Sequence, residues 1–338
     1  MSDRQRRLVA FLKAHDWQWS QSSPLADDAS FRRYRRLSDG KRRAVLMDAP
    51  PPMEDIRPFA RVARHLRTLG LGAPDVLAEN DELGALLLED LGDDTYTRLL
   101  DAGADETALY ALAVDVLIHL HRATAEAGVP AWLDPYDDER LVEEAVLLTD
   151  WYLPEMTGAP TPQAARDAYV AAWTRAFPHV RLIPPTLVLR DYHVDNLMRL
   201  EGRTGVAACG ILDFQDAVAG PPAYDLMSLV EDARRDIADD LRAAMIERYL
   251  VAFPDLDRER FATAFTVLAA QRHAKVIGIF TRLCRRDGKP GYLRHIPRVW
   301  RLLERALGHP ALDTVAAWFD TFVPRDCRGV PQCRPAAE

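Results

Sequence analysis

The sequence has little cysteine, no long apolar run and no excess of positive charge, and each shortage excludes a class of protein. Four of its 338 residues are cysteine, too few for a disulfide-stapled secreted domain, which indicates a reducing cytoplasm. No apolar run approaches the roughly 18 residues of a membrane span, so we expect no contact with a membrane. Because the formal net charge is −8, we also expect no nucleic-acid partner.

Targeting and metal-binding patterns are missing too. The apolar stretch at residues 8–12 is too short for the core of a signal peptide. It predicts an amphipathic helix over residues 3–15, capped by Ser2. Cys327 and Cys333 have no histidine at a zinc-binding spacing, so we expect no zinc site. These features together predict a cytoplasmic protein, and we expect it to act as a monomer.

The chain has the composition of an ordinary globular protein, with 48% hydrophobic and 28% charged residues. Its first part predicts two β-hairpins separated by a helix, with strands at 31–37 and 44–47, a helix at 55–69, and strands at 74–78 and 84–88. The later periodicity predicts long helices, at about 105–125, 138–152, 161–177, 223–233, 236–251, 257–284 and 293–306. We therefore predict an α+β protein with an antiparallel-sheet lobe (1–88), a hinge (89–93), a mainly helical lobe (94–325) and a flexible tail (326–338).

Three polar residues follow apolar runs in the middle of the chain. Asp191 and Asn196 lie five residues apart, and Asp213 lies seventeen residues further on, directly after Ile211 and Leu212. Short apolar runs that end in polar residues indicate buried strands. The pattern therefore predicts a loop between two strands, with a further aspartate at the end of a third strand.

This arrangement suits phosphoryl transfer, which depends on positioning and on neutralising the phosphates more than on covalent chemistry by the protein. An aspartate can orient the acceptor hydroxyl, while an asparagine and a second aspartate hold Mg²⁺. We therefore expect Asp191 to be the catalytic residue. Asn196 and Asp213 are the expected ligands of Mg²⁺ and, through it, of ATP.

The same segments carry a resemblance to a known family. The loop RDYHVDN at 190–196 resembles the catalytic loop of protein kinases and, more closely, the HGDxHxxN loop of the aminoglycoside phosphotransferase and choline kinase group. Asp213 and Phe214 resemble the start of the kinase DFG segment, with Gln215 in place of glycine, and GPPAYDL at 220–226 resembles the GxPxxDL segment of that group. The resemblance spans most of the chain and implies a bilobal protein-kinase-like fold that uses ATP and Mg²⁺.

The small lobe departs from the family pattern. Met47 stands where kinases place the phosphate-binding lysine of the third strand, and residues 26–30 replace the glycine-rich loop. We expect Ser30 and an arginine to contact the phosphates instead, because arginine can bind phosphate through two parallel hydrogen bonds. The arginines within reach are Arg32, Arg33 and Arg35. Arg33 is the predicted contact, and the alternative is that all three cover an exposed sheet face.

Other positions of the pattern leave alternatives open. The resemblance implies that the hinge backbone near Glu89 and Leu91 hydrogen-bonds the adenine. His193 is a candidate substrate contact or a packed loop histidine. Asp216 is a second metal contact or a surface carboxylate, and Asp225 caps a helix or braces the catalytic loop.

The wider sequence narrows the substrate class, again by resemblance. The segments DASFRRY (28–34), LMDAPP (46–51) and DWYLP (150–154) are similar to those of the bacterial anomeric amino-sugar kinases of cell-wall recycling. That resemblance implies phosphorylation of N-acetylmuramate and N-acetylglucosamine at the C1 hydroxyl. It also makes the missing lysine a trait of this branch. The expected partners are therefore ATP and a small amino sugar.

A sugar site needs side chains that bind hydroxyl groups and an apolar face for the ring. The candidates are Glu144, Asp150, Tyr152, Tyr192 and His193. Core packing of the aromatic residues and solvent exposure of the carboxylates are the alternatives. The lactyl carboxylate of N-acetylmuramate would need a cation, which could be Arg272, His273, Lys275, Arg282 or Arg294.

Three other functions share parts of this pattern. A kinase that acts on an aminoglycoside, choline or homoserine would use the same catalytic residues, and an acidic aromatic pocket would suit such a cationic substrate. A non-catalytic nucleotide-binding regulator would fit the missing lysine, although Asp191, Asn196 and Asp213 are all present. A protein kinase fits less well, because no long activation loop follows Asp213.

Overall fold

The computed structural model describes residues 1–25 and 31–333. The strands are, in chain order, β1 (Ser22–Pro24), β2 (Arg33–Ser38), β3 (Arg43–Asp48), β4 (Val76–Asn80), β5 (Ala85–Glu89), β6 (Thr186–Val188), β7 (Leu197–Arg199), β8 (Cys209–Ile211) and β9 (Val218–Gly220). The helices are α1 (Asp3–Ala14), α2 (Arg57–Thr68), α3 (Tyr96–Asp101), α4 (Glu106–Ala127), α5 (Asp138–Ala145), α6 (Leu153–Thr157), α7 (Gln163–Ala176), α8 (Ala223–Val230), α9 (Asp239–Val251), α10 (Arg258–Asp287), α11 (Ile296–Leu307) and α12 (Asp313–Phe322). Among the helices in these two ranges, none is long and apolar enough to cross a membrane.

The chain forms two compact units. The sheet unit comprises Met1–Leu120 and Asp191–Ala217, and the helical unit comprises His121–Arg190 and the chain from Val218 onward. The predicted α+β class is confirmed, because the antiparallel five-stranded sheet lies within the first 89 residues and helices dominate the rest of the chain. The predicted hinge at 89–93 stays a prediction. The units themselves group the loop that begins at Asp191 with the N-terminal strands.

The sheet of the sheet unit has the antiparallel strand order β1-β2-β3-β5-β4. The predicted N-terminal helix is confirmed as α1, whose Ser2 cap accepts a hydrogen bond from the Gln5 amide at 3.2 Å. The apolar side of α1 packs on one face of the sheet, where Leu46 and Leu87 are buried. Burial of this apolar surface stabilises the unit, since each fully buried large aliphatic side chain contributes roughly 1.5–3 kcal/mol.

Strand alternation places a different set of side chains on the other face. Met47 pairs directly with Leu86 on β5 and with Tyr34 on β2. Because successive side chains of a strand point to opposite faces, these three residues lie on the face away from α1. Arg33, one position from Tyr34, lies on the α1 face, where it lines a cleft with Leu8 of α1.

The helix predicted over 138–152 is interrupted. The chain forms α5, then a π-helical segment at Leu148–Tyr152, then α6. Pro154 has no N–H to donate to the carbonyl of residue 150, which favours the wider π turn. The segment is also crowded by α10, because a Cβ built on Gly278 would lie 2.3 Å from the backbone of Leu147. The first cause is a single local residue and the second is a neighbouring helix. Because neither changes the apolar periodicity, that periodicity predicts an unbroken helix.

Residues 326–333, the described part of the predicted tail, contact other parts of the helical unit. The Tyr152 hydroxyl lies 2.8 Å from the Cys327 carbonyl and 2.7 Å from the Gly329 carbonyl. Arg328 forms ion pairs with Glu304 at 3.1 Å and Asp320 at 3.0 Å. These contacts could not be predicted from the polar, proline-containing sequence of this segment, because the residues that it contacts lie far away in the chain. Helices α3 and α12 and strands β1 and β9 were not predicted from the sequence.

Candidate functional site

The loop between β6 and β7 is fixed by hydrogen bonds from its own asparagine. The Asn196 side-chain amide donates to the Asp191 carbonyl at 2.9 Å, and the Asn196 backbone amide donates to the His193 carbonyl at 2.9 Å. The Asn196 carbonyl then accepts from the Leu212 amide at 2.9 Å. These bonds connect the loop that carries Asp191 to the strand that leads into Asp213, so the three residues predicted to act together are brought together in the sheet unit.

Asp213 has an unusual backbone conformation and an oriented carboxylate. It adopts a left-handed φ of 57°, a conformation that costs energy for a residue other than glycine and is concentrated at functional sites. Gln215 donates to its Oδ1 at 2.9 Å, and the Asn196 side-chain nitrogen lies 3.5 Å from its Oδ2. Gln215, which replaces the usual glycine, therefore orients the carboxylate.

The donors present fit a hard divalent cation, which prefers oxygen ligands. Asp213 supplies a carboxylate, and the Oδ1 of Asn196 accepts no hydrogen bond from any residue in the described part of the chain. Residues 1–25 and 31–333 contain no group of three or more His, Cys, Asp or Glu that could enclose a metal ion. The pair therefore suits an ion such as Mg²⁺, which takes most of its ligands from substrate phosphates and water.

Arg32, and not Arg33, is the arginine beside these residues. The Arg32 side chain is 10% exposed, and its guanidinium lies 3.5 Å from Asp213 Oδ1 and 3.9 Å from Glu54 Oε2. Arg33 is exposed and lies on the opposite face of the sheet. Of the three candidate arginines, Arg32 is the one beside Asp213, and the predicted contact of Arg33 with phosphate stays a prediction. Ser30, the other predicted phosphate contact, lies outside the described residues.

Buried contacts anchor the rest of the loop. Tyr192 is 1% exposed and its hydroxyl donates to the Ala113 carbonyl at 2.8 Å, while Asp195 accepts a hydrogen bond from Thr97. Phe214 is fully buried and packs on Phe59 of α2, with 4.8 Å between ring centroids. Tyr192 thus has a structural contact that accounts for it, and its predicted contact with a substrate stays a prediction.

The predicted hinge residues are held by ion pairs. Glu89 is bound by Arg203 and also accepts from the Asp75 amide at 3.2 Å. The Leu91 side chain packs against the backbone of Gly210. A Cβ added to Gly210 would lie 3.2 Å from the leucine side chain. A hydrogen bond between this backbone and adenine remains a prediction.

In the helical unit, Arg190 is fixed from several sides. It has a left-handed φ of 72°, and its amide donates to Asp225 at 2.9 Å. Its carbonyl accepts from Arg272 at 3.1 Å. Of the two alternatives left open for Asp225, bracing of the loop is therefore what the structure shows. Since Arg190 directly precedes Asp191, these contacts determine how the chain enters the loop.

Glu144 completes this support. It is 8% exposed and forms ion pairs with Arg190 and with Lys275, the latter at 2.9 Å, and Tyr136 donates a hydrogen bond to it. Burial by itself would raise the pKa of Glu144, but the charges of Lys275 and Arg190 outweigh it and lower the pKa to about 2. Glu144 is therefore ionised, and its charge is compensated within the protein.

Comparison with known proteins agrees with this geometry. Residues 22–262 match the phosphotransferase enzyme family. The chain belongs to this family. An N-acetylmuramate/N-acetylglucosamine kinase from Caulobacter vibrioides is 37% identical over 97% of this chain and 99% of its own, and one from Pseudomonas aeruginosa is 41% identical over 84% and 83%. A choline kinase from Streptococcus pneumoniae has a TM-score of 0.60 at 10% identity, over 91% of this chain and 100% of that one.

These findings confirm the resemblance, the protein-kinase-like fold and the kinase activity predicted from the sequence. The family implies ATP and a divalent metal ion as requirements of this phosphotransferase. The choline kinase supports the fold alone, because its identity to this chain is low.

The other candidate substrate residues of the phosphotransferase, Asp150, Tyr152 and His193, contact other residues of the protein. Asp150 is paired with Arg166 at 2.8 Å. Tyr152 is fully buried and its hydroxyl contacts the tail. His193 is 6% exposed, and its Nε2 lies 3.5 Å from the Asn196 side-chain nitrogen. The predicted contacts of Asp150, Tyr152 and His193 with a substrate stay predictions.

Sequence reasoning did not foresee the supporting residues. Lys275, Gln215 and Arg272 act through contacts with residues far away in the chain or two positions along it. A signal for Arg32 was present, since strand alternation places it on the same face as Met47, opposite to Arg33.

Proposed function

We propose that this phosphotransferase transfers the γ-phosphate of ATP to the anomeric (C1) hydroxyl of N-acetylmuramate and N-acetylglucosamine in cell-wall recycling. The observation that carries the proposal is the match to a curated kinase of these two sugars over 97% of this chain and 99% of that protein. The arrangement of Asp191, Asn196 and Asp213 supports it independently, because it contains the groups that direct phosphoryl transfer requires.

The proposed mechanism needs no phosphoenzyme. Asp191 accepts a hydrogen bond from the sugar hydroxyl, orients it toward the γ-phosphate and takes its proton late in the reaction. Asn196 and Asp213 hold Mg²⁺, which neutralises charge on the phosphates when bound. The bonds from Asn196 to the loop keep Asp191 in position throughout, so most of the catalytic effect comes from preorganised geometry.

The charges of the helical unit favour a neutral or anionic substrate over a cationic one. An acidic, aromatic pocket would suit a cationic substrate, and Glu144 and Asp150 are the carboxylates among the predicted substrate contacts. Glu144 is neutralised by Lys275 and Arg190, and Asp150 is paired with Arg166. With both carboxylates compensated, the argument for a cationic substrate loses its support, whereas a sugar requires no net negative charge.

We further propose Arg282 as the cation for the lactyl carboxylate of N-acetylmuramate. Of the five candidate cations, Lys275 and His273 are paired with carboxylates and Arg272 binds a carbonyl and Tyr224. Arg282 is half-buried, and its Nε has no hydrogen-bond partner within residues 1–25 and 31–333. Burial, and then the charge of nearby Arg286, lower its pKa. Such a guanidinium suits an anionic ligand group.

The register of α10 supports this assignment. Along one face of α10, Lys275 contacts Glu144, and Gly278 abuts the backbone of Leu147. Residues three and four apart share a helix face, so Arg282 follows next on that face. The π-helical segment Leu148–Tyr152, which carries Trp151, packs against α10. An indole from this segment and the Arg282 guanidinium would together provide the apolar surface and the charge that this sugar requires.

We also propose that the enzyme works as a monomer in the cytoplasm, where its four cysteines would remain reduced. Sedimentation or size-exclusion measurements test the oligomeric state directly.

The test of the proposed function is a phosphorylation screen with ATP and Mg²⁺ over amino sugars, aminoglycosides and choline. We expect product from N-acetylmuramate and N-acetylglucosamine, with the phosphate located at C1 by phosphorus NMR. A phosphate at C6 would overturn the anomeric assignment, and product from a cationic acceptor alone would overturn the substrate class.

A further inference from the structure

We infer that Arg32 binds the α- and β-phosphates of ATP and so takes the place of the lysine that β3 lacks. This deepens the proposed function and rests on it in one respect, namely that the chain binds ATP. The family match covers the phosphotransferase activity but assigns no residue to this contact. Met47 at the lysine position is apolar and 1% exposed, so the charge has to come from another strand.

The position of Arg32 in the sheet fits this role. Met47 pairs directly with Tyr34 across β2 and β3, and Arg32 precedes Tyr34 by two residues. Side chains two apart on a strand share a face, and diagonal cross-strand neighbours lie about 7–8 Å apart, within reach of long side chains. Arg32 can therefore direct its guanidinium into the space that a lysine at Met47 would occupy.

The contacts of Arg32 match those required of such a lysine. In protein kinases the lysine is paired with a glutamate of the neighbouring helix and lies beside the metal-binding aspartate. Here Arg32 lies 3.9 Å from Glu54 Oε2 and 3.5 Å from Asp213 Oδ1. Glu54 stands shortly before α2 and also accepts from the Phe31 amide at 3.1 Å, so it fixes the chain that presents Arg32.

The neighbouring arginines of β2 contact other residues or lie on the other face of the sheet. Arg35 donates to Ser22 at 2.8 Å and lies 4.5 Å from the centre of the Trp19 ring. Arg36 is held by Asp93 at 2.7 Å and by Asp90 at 2.8 Å. Arg33 lies on the α1 face. In the described part of β2 and its approach, Arg32 is thus the arginine that reaches Asp213.

The chemistry of the side chain also suits phosphate. Its planar guanidinium presents a fork of N–H donors that matches two phosphate oxygens at once. The two carboxylate contacts of Arg32 are long for charge-assisted hydrogen bonds, which are usually about 2.7–2.9 Å. Burial to 10% exposure strengthens any contact that the guanidinium makes with an anion.

The test measures nucleotide binding by calorimetry, without any sugar. We expect Arg32→Gln to weaken ADP binding by about ten- to a hundredfold, the scale of a charge-assisted hydrogen bond. Adenosine, which has no phosphate, should bind both proteins equally. The ADP measurement is repeated with EDTA in place of Mg²⁺, and the loss should persist, because the contact is directly with phosphate.

Two further variants complete the design. Arg33→Gln removes the adjacent arginine from the opposite face and should leave ADP binding unchanged. Met47→Lys in the Arg32→Gln background returns a cation to the kinase position beside Glu54 and should restore part of the ADP affinity. This rescue remains informative even where Arg32→Gln alone lowers the melting temperature.

Three results would overturn the assignment. Wild-type ADP affinity in folded Arg32→Gln excludes a phosphate contact. Equal losses for adenosine and ADP indicate a purely structural role. A loss seen only with Mg²⁺ places the effect on Asp213 and the metal. None of these readouts depends on sugar phosphorylation, so failure of the substrate assignment is distinguishable from failure of this one.

Discussion

The carboxylate of Asp225 accepts hydrogen bonds from two consecutive backbone amides, Leu189 at 2.6 Å and Arg190 at 2.9 Å. Asp225 is fully buried in the first turn of α8. The two amides lie immediately before Asp191 in the chain. A side chain 35 residues away in sequence therefore sets the backbone from which the catalytic loop begins.

Replacing Asp225 by asparagine should slow catalysis more than it weakens ATP binding. Asparagine has one acceptor oxygen and presents an NH₂ group to an amide, so one buried N–H loses its partner, at a cost of about 1–3 kcal/mol. We expect kcat to fall at least tenfold and the melting temperature to drop. Asp134→Asn, at an exposed carboxylate, is the matched control. Unchanged kcat with a lowered melting temperature would limit Asp225 to a stabilising role.

Substitutions of Asp191 and of Asp213 should have different effects on turnover and on ADP binding. Asp191→Asn removes the group that orients the hydroxyl, so turnover should be lost while ADP binding is retained. Asp213→Asn removes a predicted metal ligand, so the Mg²⁺-dependent part of ADP affinity should fall as well. Calorimetry with and without Mg²⁺, beside steady-state kinetics, separates the two effects. Near-wild-type turnover of the Asp191 variant would contradict the mechanism.

Arg282 should discriminate between the two sugars. N-acetylmuramate carries a lactyl carboxylate that N-acetylglucosamine lacks. We expect Arg282→Gln to lower kcat/KM for N-acetylmuramate by about tenfold or more, as expected for a lost charge-assisted hydrogen bond, with little change for N-acetylglucosamine. Arg286→Gln, at an arginine paired with Asp287 at 2.7 Å, is the control. Equal losses for both sugars would contradict the assignment.

Glu144 should make folding stability depend on pH in the acid range. Its pKa in the folded protein is about 2, below the usual value of 4.5, because Lys275 and Arg190 outweigh burial. A lowered folded pKa contributes stability above the unfolded pKa, and that contribution disappears as pH falls from about 4.5 toward 2. Urea unfolding of Glu144→Gln should show a weaker fall in unfolding free energy over this range. Glu143→Gln, at the exposed neighbour, should keep the wild-type slope.

Tyr152 should matter for stability and not for sugar binding. Its hydroxyl connects the π-helical segment to the tail through Cys327 and Gly329. Tyr152→Phe should lower the unfolding free energy by about 1–2 kcal/mol and leave the KM for either sugar unchanged. Tyr292→Phe, whose hydroxyl makes no hydrogen bond within the described residues, is the control. A raised sugar KM would return Tyr152 to the substrate site.

The sequence by itself was enough to predict which residues form the candidate site. Asp191, Asn196 and Asp213 are close in the chain and follow apolar strand ends, so local rules of strand and loop formation were enough to group them. The hairpins and most helices followed from apolar periodicity in the same way. Helix breaks caused by a neighbour, such as the one beside Gly278, were invisible to a periodicity that averages over several turns.

Only the tertiary structure decided which charged side chains lie at the candidate site and which form ion pairs with one another. Arg32 and Arg33 are adjacent and chemically identical, yet Arg32 lies beside Asp213 while Arg33 lines a cleft with Leu8 of α1. Glu144, a predicted substrate contact, forms an ion pair with Lys275, which lies 131 residues further along the chain. A charged side chain finds its partner through space, and the energy of that pairing depends on burial and distance. Neither quantity is encoded in the spacing of residues along the sequence.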